Sequence, residues 1–187
     1  MISNLIGPIE VTNYDVVYKL FQVLITIAVI AQDPFWALYT DAYQKKDVSW
    51  IKQTLTRLNR LFILFSFLVI LFGILSKPVI SIWIQKELII SNQLIMFMTL
   101  FVLVRIYGII YMNFLNSIGQ VQLQMKLYIL GAIVNIPLSI FFVTYFQLGS
   151  SGVILGTILS IFSLSLVLPI QTHRILKTLK QERYEHP

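Results

Sequence analysis

The stretch that decides the fold is residues 32–52, "QDPFWALYTDAYQKKDVSWIK". It follows a long apolar run, opens on an acid and a proline, Asp33 and Pro34, and reaches two lysines, Lys45 and Lys46, near its end. Lys and Arg accumulate in the connections on one side of a membrane. The order therefore predicts a membrane span that ends in a basic segment, and Asp47 is the predicted N-cap of a helix that begins near Val48.

The composition agrees with a membrane protein. Of 187 residues, 57% are hydrophobic and 12% are charged, about half the charged share of a soluble domain. The absence of cysteine excludes disulfides, thiolate metal sites and cysteine nucleophiles. The two histidines, His173 and His186, form no cluster. The net charge of +6 comes mainly from segments between apolar runs, so it indicates membrane topology and no nucleic-acid partner.

Five apolar segments are long enough to cross a bilayer, which takes about 20 residues. They are residues 16–39, 61–84, 88–114, 127–146 and 153–171. None alternates with a period of two, so helices are predicted and barrel strands are not. The predicted fold is an all-α, polytopic membrane helix bundle, with residues 1–187 forming a single bundle.

The basic residues predict the orientation. The first connection and the C-terminal tail hold most of them: Lys45, Lys46, Lys52, Arg57, Arg60, Arg174, Lys177, Lys180 and Arg183. The second connection holds only Lys77 and Lys86, with Glu87 beside them. Because Lys and Arg mark the cytoplasmic side, we expect the N-terminus outside and the C-terminus in the cytoplasm, as five spans require.

Residues 40–60 are the main basic anchor. Hydrophobic residues recur there at helical spacing, and we expect the segment to lie along the inner leaflet before the chain turns into the membrane. The aromatic residues around it are expected at head-group level: Trp36, Tyr39, Tyr43 and Trp50.

Polar residues form one face of the first span: Asp15, Lys19, Gln22, Thr26 and Asp33. Lipid does not tolerate such a face, so it must meet protein or water. Asp33 is either an ionised group in a wet cavity or an interfacial carboxylate that reaches the head groups. Pro34 lacks a backbone donor and is expected to kink the helix.

Arg105 is the most informative charge, because it lies near the middle of the third span. An arginine at that depth costs at least about 2.5–3.5 kcal/mol, so it must face the bundle interior, a partner or a water-filled cavity. One interpretation is an internal ion pair, with Asp33 as the candidate partner. The other, which we favour, is an anion-binding site. Asn113 and Asn116 continue near the same face.

The last two spans carry polar and small residues at helical spacing. In the fourth these are Gln124, Tyr128, Gly131, Asn135 and Ser139, with Pro137 as a predicted interruption that serves either a transport cavity or packing alone. In the fifth, Gly152, Gly156 and Ser160 predict a helix-packing seam. No paired carboxylates, Ser/His/Asp set or phosphate-cradling loop occurs, so no enzyme, metal site or cofactor is predicted.

Three stretches carry a family resemblance: "LIGPIEVTNYDVVYKLFQ", "DPFWALYTDAYQKKDVSWIKQTLTRLNR", and "NSIGQVQLQMKLYILGAIVNIPLSIFFV" followed by "LGSSGVILGTILS". The chain resembles the C-terminal bundle of bacterial O-antigen and polysaccharide flippases of the multidrug/oligosaccharidyl-lipid/polysaccharide exporter superfamily. The resemblance places it from the end of the seventh helix to the twelfth. Family members have two bundles, so the chain is expected to be a C-terminal fragment that needs the missing N-terminal bundle as a partner.

The resemblance implies export of an undecaprenyl-diphosphate-linked oligosaccharide, such as an O-antigen unit for lipopolysaccharide, across the bacterial cytoplasmic (inner) membrane. Arg105 is the first candidate substrate-binding residue. The secondary candidates are Lys19, Gln22, Thr26, Asn113 and Asn135. The basic segment would also attract membrane lipid. Two other hypotheses are a drug or cation antiporter of the same superfamily, which would favour buried acids, and an accessory membrane subunit without transport activity.

Overall fold

The computed structural model describes residues 2–85 and 88–185, and the side chains of residues 7–85 and 88–182. The described residues form six helices and no strand: α1 (Ile2–Gln32), α2 (Phe35–Gln44), α3 (Val48–Ile84), α4 (Asn92–Ser117), α5 (Gln122–Thr144) and α6 (Gly149–Glu185). All of them except α2 are long and apolar enough to cross a membrane. The predicted all-α membrane bundle with five spans is therefore confirmed. Lys86, Glu87 and His186 lie outside the described residues.

The first span differs from its prediction at both ends. It was expected over residues 16–39, but its apolar helix runs over Gly7–Gln32 and stops just before Asp33. Pro34 lacks an amide hydrogen and disfavours helical geometry in the residue before it, so the chain ends one helix and begins α2 at Phe35. The kink expected at Pro34 is thus a full helix break.

The expectation that residues 40–60 lie along the membrane before a turn is wrong from Val48 onward. Asp47 caps α3 as predicted, because its Oδ1 accepts a hydrogen bond of 3.0 Å from the amide of Trp50. From there α3 continues unbroken to Ile84. No proline or glycine occurs between Val48 and Phe72, and Ile51, Leu55 and Leu58 continue the buried stripe of the span. At 37 residues, α3 is about 55 Å long.

Two apolar clusters hold the helices together, and α4 contributes to both. One cluster joins α1, α3, α4 and α6 through buried residues such as Val17, Phe21 and Met98. The other joins α2, the start of α3, and the last part of α6, where Leu176 and Leu179 are buried. We call this second region, which carries the basic connection and tail, the basic end of the bundle.

Tyr39 is part of the second cluster and does not lie at the surface, which corrects its expected place among head-group aromatics. Its ring is fully buried and packs edge-on against Phe114 at 5.3 Å and Trp50 at 5.9 Å. Burial, with a smaller contribution from Tyr111, raises the pKa of the Tyr39 phenol above its ordinary value. Trp36, by contrast, is exposed.

Candidate functional site

The site is centred on Arg105, which lies halfway along α4. Its Nη1 donates a hydrogen bond of 2.5 Å to the hydroxyl of Tyr128 on α5. The Tyr128 hydroxyl also lies 3.4 Å from the sulfur of Met112, about two turns further along α4 than Arg105. The side chain of Arg105 is half-buried between α4, α5 and α6. The prediction that this charge turns towards protein is therefore correct.

Arg105 forms no ion pair with any side chain in residues 7–85 and 88–182. The ion pair with Asp33 that the sequence allowed is absent, and depth explains why. Asn113 donates a 2.7 Å hydrogen bond to the carbonyl oxygen of Gln32, so the end of α1 lies level with Asn113. Asn113 is eight residues from Arg105, which is about 12 Å along a helix. Asp33 is exposed beyond that level.

A groove of about 340 Å³ lies beside Arg105, between α5 and α6. Leu127, Tyr128, Gly131, Ala132, Asn135, Ser160, Ile161 and Leu164 line it. A much smaller cavity, of about 10 Å³, contacts Arg105 itself and shares Tyr128, Ile161 and Leu164 with the groove. Tyr128 thus contacts the guanidinium of Arg105 and also lines the groove.

Asn135 is the one predicted site residue that lines this groove. Its Nδ2 donates a 3.1 Å hydrogen bond to Oγ1 of Thr157 on α6, and that hydroxyl donates to the carbonyl oxygen of Val153 at 3.0 Å. The carboxamide oxygen of Asn135 remains as an acceptor for a ligand hydroxyl. Tyr128 and Asn135 therefore give the groove a polar wall, and Tyr128 connects it to Arg105, which lies outside the lining.

Asn113 serves the fold. Its bond to the Gln32 carbonyl satisfies one of the carbonyl oxygens that the end of a helix leaves without a partner. Asn116, one turn further on, hydrogen-bonds through its Oδ1 with Nε2 of Gln124, which joins α4 to α5. Both side chains hold helix ends together at the basic end, away from Arg105 and from the groove between α5 and α6.

The three candidates on α1 also lie apart from the groove. Lys19 is exposed and pairs with Asp15 one turn away, with 2.6 Å between Nζ and Oδ2. Thr26 is exposed, and its hydroxyl donates to the carbonyl oxygen of Gln22 in its own helix. The polar face of α1 thus points out of the bundle, while Val17 and Phe21 on the other side are buried.

The polar and small residues of α5 and α6 form the packing seam that was predicted. A Cβ atom on Gly156 would lie 2.6 Å from the hydroxyl oxygen of Ser139 and 2.9 Å from its backbone nitrogen. A Cβ atom on Gly131 would lie 2.9 Å from the carbonyl oxygen of Ser160. The two backbones therefore approach closely at both points. The helix α5 runs through Pro137 without a break, so the predicted helix break is wrong, and the packing kink stays a prediction.

Sequence reasoning noted Tyr128 on the stripe of α5 but did not assign it to the site. The signal was present, because Tyr128 lies four residues before Ala132 and seven before Asn135, on the face that lines the groove. Its pairing with Arg105 depends on how α4 and α5 rotate against each other, and helical spacing does not determine that rotation.

Comparison with known proteins places the chain in a family. The family model described as MatE matches residues 1–141. Neither a curated protein nor a solved structure matches the chain. The family match covers most of the 187 residues, and five helices of the described chain are membrane-spanning in length and composition. The chain is therefore a multi-pass membrane protein that belongs to the MatE family of transporters, within the multidrug/oligosaccharidyl-lipid/polysaccharide exporter superfamily.

Proposed function

We propose that the chain is part of a transporter that flips lipid-linked oligosaccharide, such as O-antigen or other polysaccharide repeat units, across a bacterial cytoplasmic membrane. The observation that carries the proposal is Arg105. It is a permanent cation at the middle of a spanning helix, and a neutral phenol is the hydrogen-bond partner of its guanidinium. A site of this kind favours an anionic ligand that passes through the membrane interior.

The diphosphate of an undecaprenyl-diphosphate-linked oligosaccharide fits that chemistry. A guanidinium has five N–H donors and binds phosphate oxygens in pairs. The Tyr128 hydroxyl accepts from one of these donors. A phosphate that enters from the groove would displace the phenol or share it, and would offset the cost of holding the cation within the membrane. Asn135, farther along the groove, would then contact the first sugar through its carboxamide oxygen.

The transport unit would include a second helix bundle. Asp15, Lys19 and Thr26 are exposed on one face of a membrane-spanning helix, where lipid contact is unfavourable. A second bundle, with a hydrated cavity between the two, would cover this face. Alternating access by the rocking of two bundles needs that arrangement. Lys19 and Gln22 would then line the cavity from α1, while Arg105 acts from α4.

The basic end would face the cytoplasm. It carries Lys45, Lys46, Arg57 and Arg60 beside the tail of α6, and the opposite end carries Lys77 among the described residues. The positive-inside rule then puts the start of α1 outside and the end of α6 inside.

A drug or cation antiporter is the second candidate, and one observation favours it. Asp15 on α1 and Asp33, just beyond the end of α1, are both exposed, and an exposed carboxylate can bind a cation. Asp15 is, however, already paired with Lys19. The flippase function requires the charge of Arg105, whereas the antiporter function requires the carboxylates of Asp15 and Asp33.

The test is surface polysaccharide in a strain that lacks its own flippase, with this chain joined to a second bundle by fusion or co-expression. We expect Arg105→Lys to keep partial export, because the charge remains while the paired donor geometry is lost. Arg105→Gln should abolish export at a normal protein level. Lys126→Gln, which removes an exposed cation of α5, is the matched control and should export normally.

Two results would contradict the proposal. Normal export by a well-expressed Arg105→Gln protein would remove Arg105 from the substrate path. Loss of drug resistance on changing Asp15 and Asp33 to Asn, with no effect of any Arg105 variant, would favour the antiporter.

A further inference from the structure

A second groove, on the outer surface of the bundle, lies between α1, α3 and α4 near the basic end. Its volume is about 330 Å³, within the range of roughly 300–1,000 Å³ that small-molecule sites have. Ala28 and Ala31 on α1 make room for it, because larger side chains would fill the space against Leu61 and Leu64 of α3. Leu61 and Leu64 are 58% and 64% exposed, so the groove opens sideways on the bundle surface.

One polar side chain points into this apolar groove. Gln32 is only 6% exposed, and its Oε1 has no hydrogen-bond partner among the described residues. A buried amide oxygen without a partner is unfavourable by about 1–3 kcal/mol. A ligand that carries a hydrogen-bond donor at this level would remove that penalty. Along the α3 wall, Gln32 lies near Leu58, a lining residue at the basic end of the groove.

Positive charge stands at the mouth of the groove. Arg57 is one turn before Leu61 and lies on the same helix face as Leu61, Leu64 and Leu68. Arg60 follows on the next face, and both arginines are exposed. Within residues 7–85 and 88–182 neither forms an ion pair, whereas Lys45 and Lys46 nearby are paired with Asp41 and Glu182. The mouth is therefore complementary to an anionic group.

From these features we infer that the groove binds an anionic phospholipid from the membrane leaflet at the basic end. Its phosphate contacts Arg57, a head-group hydroxyl donates to Oε1 of Gln32, and one acyl chain fills the channel along Leu61, Leu64 and Leu68. The charge and the polar group lie together at the basic end of the groove and the apolar channel continues from them, as the head group and the hydrocarbon do in a phospholipid.

The groove and the polar face of α1 lie on opposite sides of that helix. Residues 27, 28, 31 and 32 line the groove, and residues 15, 19, 22 and 26 form the polar face. A second bundle on the polar face would leave the groove open to lipid. The inference therefore does not depend on the proposed transport function, and it holds or fails separately.

The experiment is photo-crosslinking in nanodiscs with a phosphatidylglycerol analogue that carries a diazirine in one acyl chain. A phosphatidylcholine analogue with the same chain, which is zwitterionic with no net charge and has no head-group hydroxyl, serves as the comparison, and labelled peptides are mapped by mass spectrometry. We expect phosphatidylglycerol to label residues 27–31 and 61–68 more than the rest of the lipid-facing surface. Arg57→Gln should lower that labelling about fivefold. Lys52→Gln, an exposed cation five residues away on the opposite face, should not change it.

A second pair of variants tests the channel itself. Leu64→Trp places an indole in the groove and should abolish its labelling. Ile63→Trp, on the neighbouring lipid-facing position that does not line the groove, should leave it unchanged. The thermal unfolding midpoint of each variant in detergent shows that the fold is retained. Three results would each overturn the inference. They are even labelling around the whole surface, equal labelling of the groove by phosphatidylcholine, and a groove that neither lipid labels. The last result would mean that another protein segment covers the groove.

Discussion

Glu10 of α1 caps the first turn of α6, because its Oε2 accepts hydrogen bonds from the amide nitrogen of Ser150 at 3.2 Å and from the Ser150 hydroxyl at 2.5 Å. The first amides of a helix have no partner within the helix, and the helix dipole favours a negative charge there. The cap is supplied by a residue 140 positions earlier in the chain. It fixes the end of the bundle opposite the basic end.

We predict that Glu10→Ala destabilises the bundle by about 1–3 kcal/mol, through the lost cap and the lost charge at the helix start. Glu10→Gln should destabilise it less, since the amide oxygen still accepts a bond. The measurement is thermal unfolding in detergent. Asp41→Ala is the control, because Asp41 forms only an exposed pair with Lys45, which contributes about 0–1 kcal/mol. Equal effects at the two sites would contradict the prediction.

The second prediction concerns the α5–α6 seam. Gly156→Ala should strongly destabilise the bundle, because the added methyl group would lie within 3.0 Å of three atoms of Ser139, two of them in the backbone. Overpacking of this kind costs typically 1–3 kcal/mol. Gly108→Ala is the matched control in α4, where the new methyl group would meet only the Ser165 hydroxyl oxygen at 3.5 Å. Unfolding in detergent should separate the two variants, and similar stabilities would show that the seam can open.

A third prediction uses the buried phenol of the basic end. The hydroxyl of Tyr39 has no hydrogen-bond partner among the described residues, although its ring is fully buried. Tyr39→Phe should therefore leave stability unchanged or raise it, because the variant keeps the ring and removes an unpaired polar atom. Tyr39→Ala should cost about 3–5 kcal/mol, as for other large-to-small core changes. A marked loss of stability in Tyr39→Phe would contradict the prediction and would mean that the hydroxyl has a hydrogen-bond partner inside the protein.

The spans were predictable because their signal is local. About 20 apolar residues in a row identify a membrane helix whatever its neighbours are, and Asp47 and the glycines of α6 act through nearby backbone. The long α3 was not predictable in the same way. An amphipathic segment such as residues 48–60 has the same pattern whether it lies on the membrane or extends a span, and only its packing against α2 and α6 distinguishes the two.

The sequence predicted the depth of Arg105 in the membrane but not its hydrogen-bond partner. That depth followed from the span. Asp33 was the candidate ion-pair partner, but Asp33 lies beyond the end of α1, far from the middle of α4. The choice of Tyr128 came from the rotation of α5 against α4, which depends on all contacts of both helices. The glutamine in the outer groove, Gln32, was missed because a single amide near a span end gives no pattern in the sequence.

The fourth prediction tests orientation, and the chain is suited to it because it contains no cysteine. Single cysteines at Gln44 and Gln147, both exposed and near opposite ends of the bundle, are labelled in intact cells with a membrane-impermeant thiol reagent. We expect label at position 147 and none at position 44 until the cells are opened, because the basic end should face the cytoplasm. Label at position 44 alone in intact cells would reverse the proposed topology.

The last prediction concerns two roles that Tyr128 can have beside Arg105: stabilising the fold, and holding the place that the substrate phosphate takes. Tyr128→Phe removes the hydroxyl that accepts from the guanidinium, and Arg105→Met removes the charge. If the pair stabilises the fold, the two changes and their combination should show a coupling free energy of about 0.5–3 kcal/mol in detergent unfolding. Tyr145→Phe, at a ring that is 75% exposed at the opposite end of α5, should be additive with Arg105→Met within about 0.5 kcal/mol.

Transport by the same proteins, each with its second bundle, decides whether Tyr128 holds a place for the substrate. A phosphate that displaces the phenol meets less competition in Tyr128→Phe, so export should stay near the wild-type level although the protein is less stable. Arg105→Met should abolish export. Equal loss of export in both variants, at equal protein levels, would contradict this. It would mean that the hydroxyl itself binds the substrate and that the substrate does not displace Tyr128 from Arg105.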